Sequence, residues 1–144
     1  MPGAFTGDGW SGGYVSKHLL HAPINSDLET LRARLRAVGR QAGLGARRVD
    51  DLVIAVHEAV LHVLDKGAGR GSVHAWQDHH SLTVQVIDEH GLPREESIPE
   101  QPSWSDAHHA RLWVMRQACD ELSIDLRPGL TLVQLRLSLT DNHE

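Results

Sequence analysis

Cysteine is almost absent: Cys119 is the only one in 144 residues. That excludes an internal disulfide framework and fits a reducing compartment. Long apolar runs are missing too, since stretches such as Leu52 to Val56 fall far short of the ~20 residues that a membrane-spanning helix needs. Met1 to Trp10 shows no basic-then-apolar signal sequence, so the expected location is cytoplasmic, with no membrane contact. Clustered positive charge is scarce as well. The chain carries 14 basic and 19 acidic side chains, a formal net charge of −5, whereas neutralising phosphates requires a concentrated basic surface. The one basic cluster, Arg32, Arg34, Arg36, Arg40, Arg47 and Arg48, lies mostly on a helix with a regular apolar face. It reads as a solvated flank, and no direct nucleic-acid contact is expected.

What is present is one domain's worth of chain, long enough to bury a core without staples. Residues 1–13 are glycine-rich and aperiodic, which predicts a loose tail ahead of a single domain over residues 14–140. Val15, Leu19 and Leu20 fit a short strand ending before Pro23. Ser26 and Glu29 have capping-box spacing at a helix start. Leu28, Leu31, Leu35 and Val38 recur at three and four residues along one face, and Gly43 and Gly45 supply a stop. A second helix, about Arg48 to Asp65, carries a wide stripe of Val49, Leu52, Val53, Val56, Val60 and Val63 and should be mostly buried.

After a glycine-rich loop from Lys66, residues 72–77 and 82–88 flank a polar tetrad and read as a hairpin. Residues 89–107, with three prolines and four acidic residues after Glu89, read as a long lid-like loop. Loops longer than roughly 12–15 residues in a compact domain are uncommon and are usually binding loops or lids. A helix from about His108 through Cys119 and two strands around the turn Arg127-Pro128-Gly129 close the chain. Helices gathered on one face of a mixed, mostly antiparallel sheet predict an α+β, two-layer sandwich.

Three constellations bear chemistry. Glu58 and His62 stand four apart on the second helix, hence on one face, where a carboxylate and an imidazole can share a proton, order a water or hold a metal. A zinc-protease reading of His57-Glu58 fails on spacing, because His62 lies five residues after His57, about 140° round the helix. Asp88 ends a strand and is followed by Gly91, a placement that can accept a hydrogen bond from the exocyclic amine of a purine. Pro128-Gly129-Leu130-Thr131 forms a strand-entry turn.

In order and spacing together, Glu58-Ala-Val-Leu-His62, Lys66-Gly67, Asp88 with Gly91, Arg111-Leu-Trp-Val-Met-Arg-Gln, and Gly129 with Thr131 resemble the ATP-binding domain of the GHKL superfamily, the Bergerat or histidine-kinase-like ATPase fold. Within it the sequence looks like the bacterial anti-sigma-factor serine kinases, over roughly Leu20 to Leu139. The resemblance implies Glu58 as the catalytic general base. It implies a nucleotide site at His62, Lys66, Gly67, Asp88, Gly91, Arg111, Gly129 and Thr131, with ATP and magnesium as cofactors and His62 at the metal-ligand position. It further implies a homodimer whose partners are a sigma factor and an anti-anti-sigma antagonist.

Departures from the family pattern gather at the nucleotide. His62 replaces an asparagine ligand of magnesium, a cation that prefers hard oxygen donors. His90 and Leu92 replace glycines beside the base. His108-His109-Ala110-Arg111 replaces a glycine-rich phosphate loop. The apolar periodicity is intact throughout. The expectation is an anti-sigma-like regulator of transcription that works by protein–protein binding, with ATP binding weakened or lost. One alternative is an active ATP-dependent serine/threonine kinase acting on the antagonist. Another is a metal or pH sensor built from His57, His62, His90, His108 and His109.

Overall fold

A computed structural model describes residues 17–25, 27–66, 71–89, 107–127 and 130–139. Among them the element order is β1 (Lys17–Pro23), α1 (Leu28–Ala42), α2 (Ala46–Lys66), β2 (Gly71–Gln77), β3 (Ser81–Asp88), α3 (Ala107–Ala118), β4 (Glu121–Arg127) and β5 (Leu130–Ser138). The sheet order is β1-β2-β3-β5-β4, and every pairing between described strands is antiparallel. The α+β layering is as expected. The tail over residues 1–13 and nearly all of the loop over 89–107 lie outside the described residues.

Two local readings are corrected. The first strand runs through Pro23 instead of stopping before it, with Pro23 opposite Ser72. β1 is an edge strand, where a residue without an N–H is tolerated. At the start of α1 the N-cap is Asp27, whose carboxylate accepts a hydrogen bond from the Thr30 N–H at 3.1 Å. Asp27 in turn donates its own N–H to Asn25 Oδ1 at 2.8 Å. Glu29 therefore sits two residues after the cap, one short of capping-box spacing; Ser26 lies outside the described residues. The stop is as read. Gly43 is left-handed at φ 96° and donates to the Arg40 carbonyl, while Leu44 N–H reaches the Gly39 carbonyl, which together satisfy the last carbonyls of the helix.

α2 is the central beam. Leu52, Ala55, Val56, Ala59, Val60 and Val63 are fully buried beneath it, because α2 packs on α1, α3 and the sheet at once. On the sheet the matching rows are Leu82, Val84 and Val86 of β3 and Val133, Leu135 and Leu137 of β5, all buried and mutually in register. Burying each such side chain contributes about 1.5–3 kcal/mol. Ile54 is the one exposed large hydrophobic residue among those described, at 45%.

The buried Cys119 thiol donates to the Met115 and Glu121 carbonyls, and burial pushes its pKa up to about 11. Alkylation of the native protein by iodoacetamide at pH 7.5 is therefore expected to run about a hundredfold slower, or more, than in denaturant, since only the thiolate reacts. Equal rates would contradict this packing.

Candidate functional site

The site is assembled from the C-terminal half of α2, the start of α3 and one end of the sheet. Side chains alternate along a strand, so Asp88 continues the row of Leu82, Val84 and Val86 on the helix-covered face. Thr131 likewise continues the row of Val133, Leu135 and Leu137. The two are register partners and both are buried, Asp88 at 2% and Thr131 at 7% exposure. Two residues 43 positions apart in the chain thus lie side by side at one end of the sheet.

On its other side Asp88 pairs with Gly71. Four residues separate Lys66 at the end of α2 from Gly71, so the two lie at most about 18 Å apart. The His62 end of α2 therefore lies toward the Asp88 end of the sheet. Glycine at 71 is a packing requirement: a Cβ there would collide with the Ile87 carbonyl oxygen and press on Ile24 Cδ1 at 3.2 Å. Alternation alone gave no signal of that close approach.

Glu58 and His62 occupy one face of α2, as their spacing requires. His62 is buried at 2% exposure, while the Glu58 side chain is 26% exposed. Arg111, from the first half of α3, brings its Nε to 3.4 Å from Glu58 Oε1, and its side chain is only 15% exposed. A guanidinium therefore sits on the carboxylate assigned as the general base. Next to Glu58 in the chain, His57 Nδ1 lies 3.4 Å from Arg32 of α1. The Lys66 side chain and Gly67, Gly91 and Gly129 lie outside the described residues, as do His90 and the side chains of His108 and His109.

These residues fit the two ends of a magnesium nucleotide unequally. The carboxylate and hydroxyl of Asp88 and Thr131, shielded at the sheet end, suit a purine base. The metal end does not fit: magnesium requires several hard oxygen ligands, His62 offers nitrogen, and Glu58 is engaged by Arg111. Among the described residues no group of three or more His, Cys, Asp or Glu side chains is placed to hold a metal ion. No step through a metal is derived from this arrangement.

The arginine flank is also partly consumed within the chain. Arg36 pairs with Asp50 at 2.9 Å, and Arg48 bridges Asp51 and Asp120 at 3.4 and 2.6 Å.

Histidines gather elsewhere, on the helix-free face of the sheet. His21 and His74, cross-strand partners of β1 and β2, stack with ring centroids 4.2 Å apart. His18 lies 6.3 Å from His74, and Ser72 Oγ meets His74 Nε2 at 3.0 Å. Burial, then the charges of His21 and His18, hold the His74 pKa below its ordinary value of 6.5, against a smaller opposing pull from Glu89. The folded state thus binds fewer protons than the unfolded chain as pH falls below about 6.5. Stability is full above that value and declines as pH drops toward the lowered pKa. Urea unfolding at pH 7.5 and 5.5 is expected to show this decline, and His74→Gln to reduce it; an identical decline in the variant would contradict the assignment to His74.

The family model for the histidine kinase-like ATPase domain matches residues 23–137. Thirteen solved chains match. One is the crystal structure of the RsbU and RsbW domains of Rv1364c from Mycobacterium tuberculosis, with a TM-score of 0.61 and 20% identity, covering 86% of this chain and 34% of that one. The likeness at that identity is one of fold, and this chain spans about a third of that protein's length. No curated protein matches.

Proposed function

We propose, because this chain belongs to the histidine kinase-like ATPase domain family, that it is an anti-sigma-factor-like regulator acting by protein–protein binding, with nucleotide binding weakened or lost. The observation that carries this reading is the Arg111–Glu58 ion pair. A general base must present a free oxygen to the hydroxyl it deprotonates, and the part-buried guanidinium at 3.4 Å from Oε1 occupies one of the two and narrows the approach to the carboxylate. The intact core around α2 supports a scaffold maintained for binding. The direction toward sigma factors comes from the motif order and from the RsbW domain named in the structural neighbour. Its partners on this reading are a sigma factor and its antagonist, met in the cytoplasm by a homodimer, with no nucleic acid contacted directly.

The second reading is an ATP-dependent serine/threonine kinase acting on the antagonist. It is favoured by one observation, the buried side-by-side placement of Asp88 and Thr131, which suits an adenine. Sedimentation of the purified chain with each sigma factor of its source genome separates the two. The regulator reading expects a complex without nucleotide, unchanged on adding ATP and magnesium. A complex that forms only with ATP, or an antagonist that becomes phosphorylated, would overturn it.

A further inference from the structure

β1 is weakly held in the sheet, for reasons written in its own residues. It is an outer strand, paired among the described strands with β2 alone. Its ladder is interrupted by a register shift between His18 and Leu20, and Pro23 brings no N–H to it. Its hold on the core rests on the buried Leu20 and Ala22, with Ile24 just beyond the strand. Segments with so few buried apolar contacts open locally, at free energies well below that of global unfolding.

Across this seam the two strands carry imidazoles on both sides. His18 and His21 of β1 are exposed and His74 of β2 is half-buried, with ring centroids 6.3 and 4.2 Å from His18 and His21. An imidazole ordinarily gains its proton near pH 6.5, so acidification sets like charges directly across the strand pair, which is destabilising. Little on this face offsets them. Ser72 Oγ, 3.0 Å from His74 Nε2, and Gln85, the β3 partner of His74, are both neutral. Among the described residues Glu89 is the one acid whose charge acts on His74, and its pull is weaker than the opposing influences of burial, His21 and His18. Lys17 adds a further cation to β1 itself. Farther along the sheet Arg136 and Glu121 pair with each other, and Asp125 lies on β4 at the opposite edge. Release of β1 would relieve both costs at once, separating the charges and returning His74 to water.

The strand is tied to the candidate site through the residue that follows it. Ile24 donates its N–H to the Gly71 carbonyl at 2.9 Å, and its Cδ1 lies so close to Gly71 that a Cβ there would stand 3.2 Å from it. Gly71 is in turn the register partner of Asp88. We propose that β1 is an acid-released strap: when His18, His21 and His74 are charged together, the strand leaves β2 while β2, β3, β5 and β4 stay paired, and Ile24 is drawn from its seat beside Gly71. The Asp88 end of the sheet is loosened with it. These histidines lie on the helix-free face, apart from His57 and His62 of α2, and the device depends on neither reading of the function.

Native-state hydrogen exchange of the full chain at pH 7.5 and 5.5 tests it, read as protection factors so that the intrinsic pH dependence of amide exchange is removed. Protection of the β1 amides and of the Ile24 N–H is expected to fall roughly tenfold or more at the lower pH, while that of β3 and β5 holds within about twofold. His74→Gln is expected to keep β1 protected at both pH values. The exposed pair His18→Gln with His21→Gln, which leaves the buried Leu20, Ala22 and Ile24 untouched, is expected to shrink the fall and keeps the test intact if position 74 tolerates no change. Unaltered β1 protection in the wild type overturns the strap. Equal losses in β1, β3 and β5 also overturn it, because the sheet then opens as one unit. A β1-specific fall that persists undiminished in the variants overturns the assignment to these histidines.

Discussion

Gly71→Ala is expected to destabilise the protein by about 3 kcal/mol, the upper range for overpacking, and to lower the melting temperature by roughly 6–12 °C at this chain length. The added methyl group meets the Ile87 carbonyl oxygen, which belongs to the backbone of the neighbouring strand and cannot rotate away, and also Ile24 Cδ1. Retreat on that second side is limited because the Ile24 N–H donates to the Gly71 carbonyl at 2.9 Å. The strain falls beside Asp88, the register partner of Gly71, so the sheet end of the candidate site should be disturbed with it. Urea unfolding is the check. A loss under about 1 kcal/mol, below the usual overpacking range, would show that the strands separate easily there.

The double substitution His62→Asn with Arg111→Gly is expected to raise the affinity for magnesium ATP at least tenfold over the wild type. It works on both obstacles at the metal end. Asparagine offers a hard carbonyl oxygen where imidazole offers nitrogen, and removing the guanidinium releases Glu58. Either change alone should do less, because the other obstacle remains. A glycine inside α3 costs about 1 kcal/mol of helix stability, which the extensive burial of α2 and α3 tolerates. Fluorescence competition with a labelled nucleotide reads the change; an unaltered affinity would place the obstacle outside these two residues.

Most of the fold was legible because its signals are local and periodic. The apolar rows of α2, β3 and β5 follow periods of 3.6 and 2 that hold whatever lies opposite. Legibility failed where a contact depends on three dimensions. Asp27 took the capping role through its own geometry at the helix start, which the spacing of Ser26 and Glu29 does not reveal. The exclusion of a side chain at 71 arises from a neighbouring backbone 16 residues later in the chain. The family resemblance puts Asp88 and Thr131, from separate constellations, in one implied nucleotide site, and the antiparallel register of β3 and β5 sets them side by side. The resemblance gives Glu58 and Arg111 separate roles toward a nucleotide, whereas the two form an ion pair with each other. Nothing in their spacing signals that, because the packing of α3 on α2 sets it. Among the described residues, the histidines that meet across strands, His18, His21 and His74, are ones whose sequence neighbourhood carries no signal, since cross-strand partners are invisible without the register.

The central claim is that Arg111 and His62 deny a magnesium nucleotide its place beside Glu58. Isothermal titration of the purified wild-type chain with ATP and magnesium tests it most directly. No heat of binding is expected at submillimolar nucleotide. A saturable isotherm with a submillimolar dissociation constant, dependent on magnesium, would contradict it.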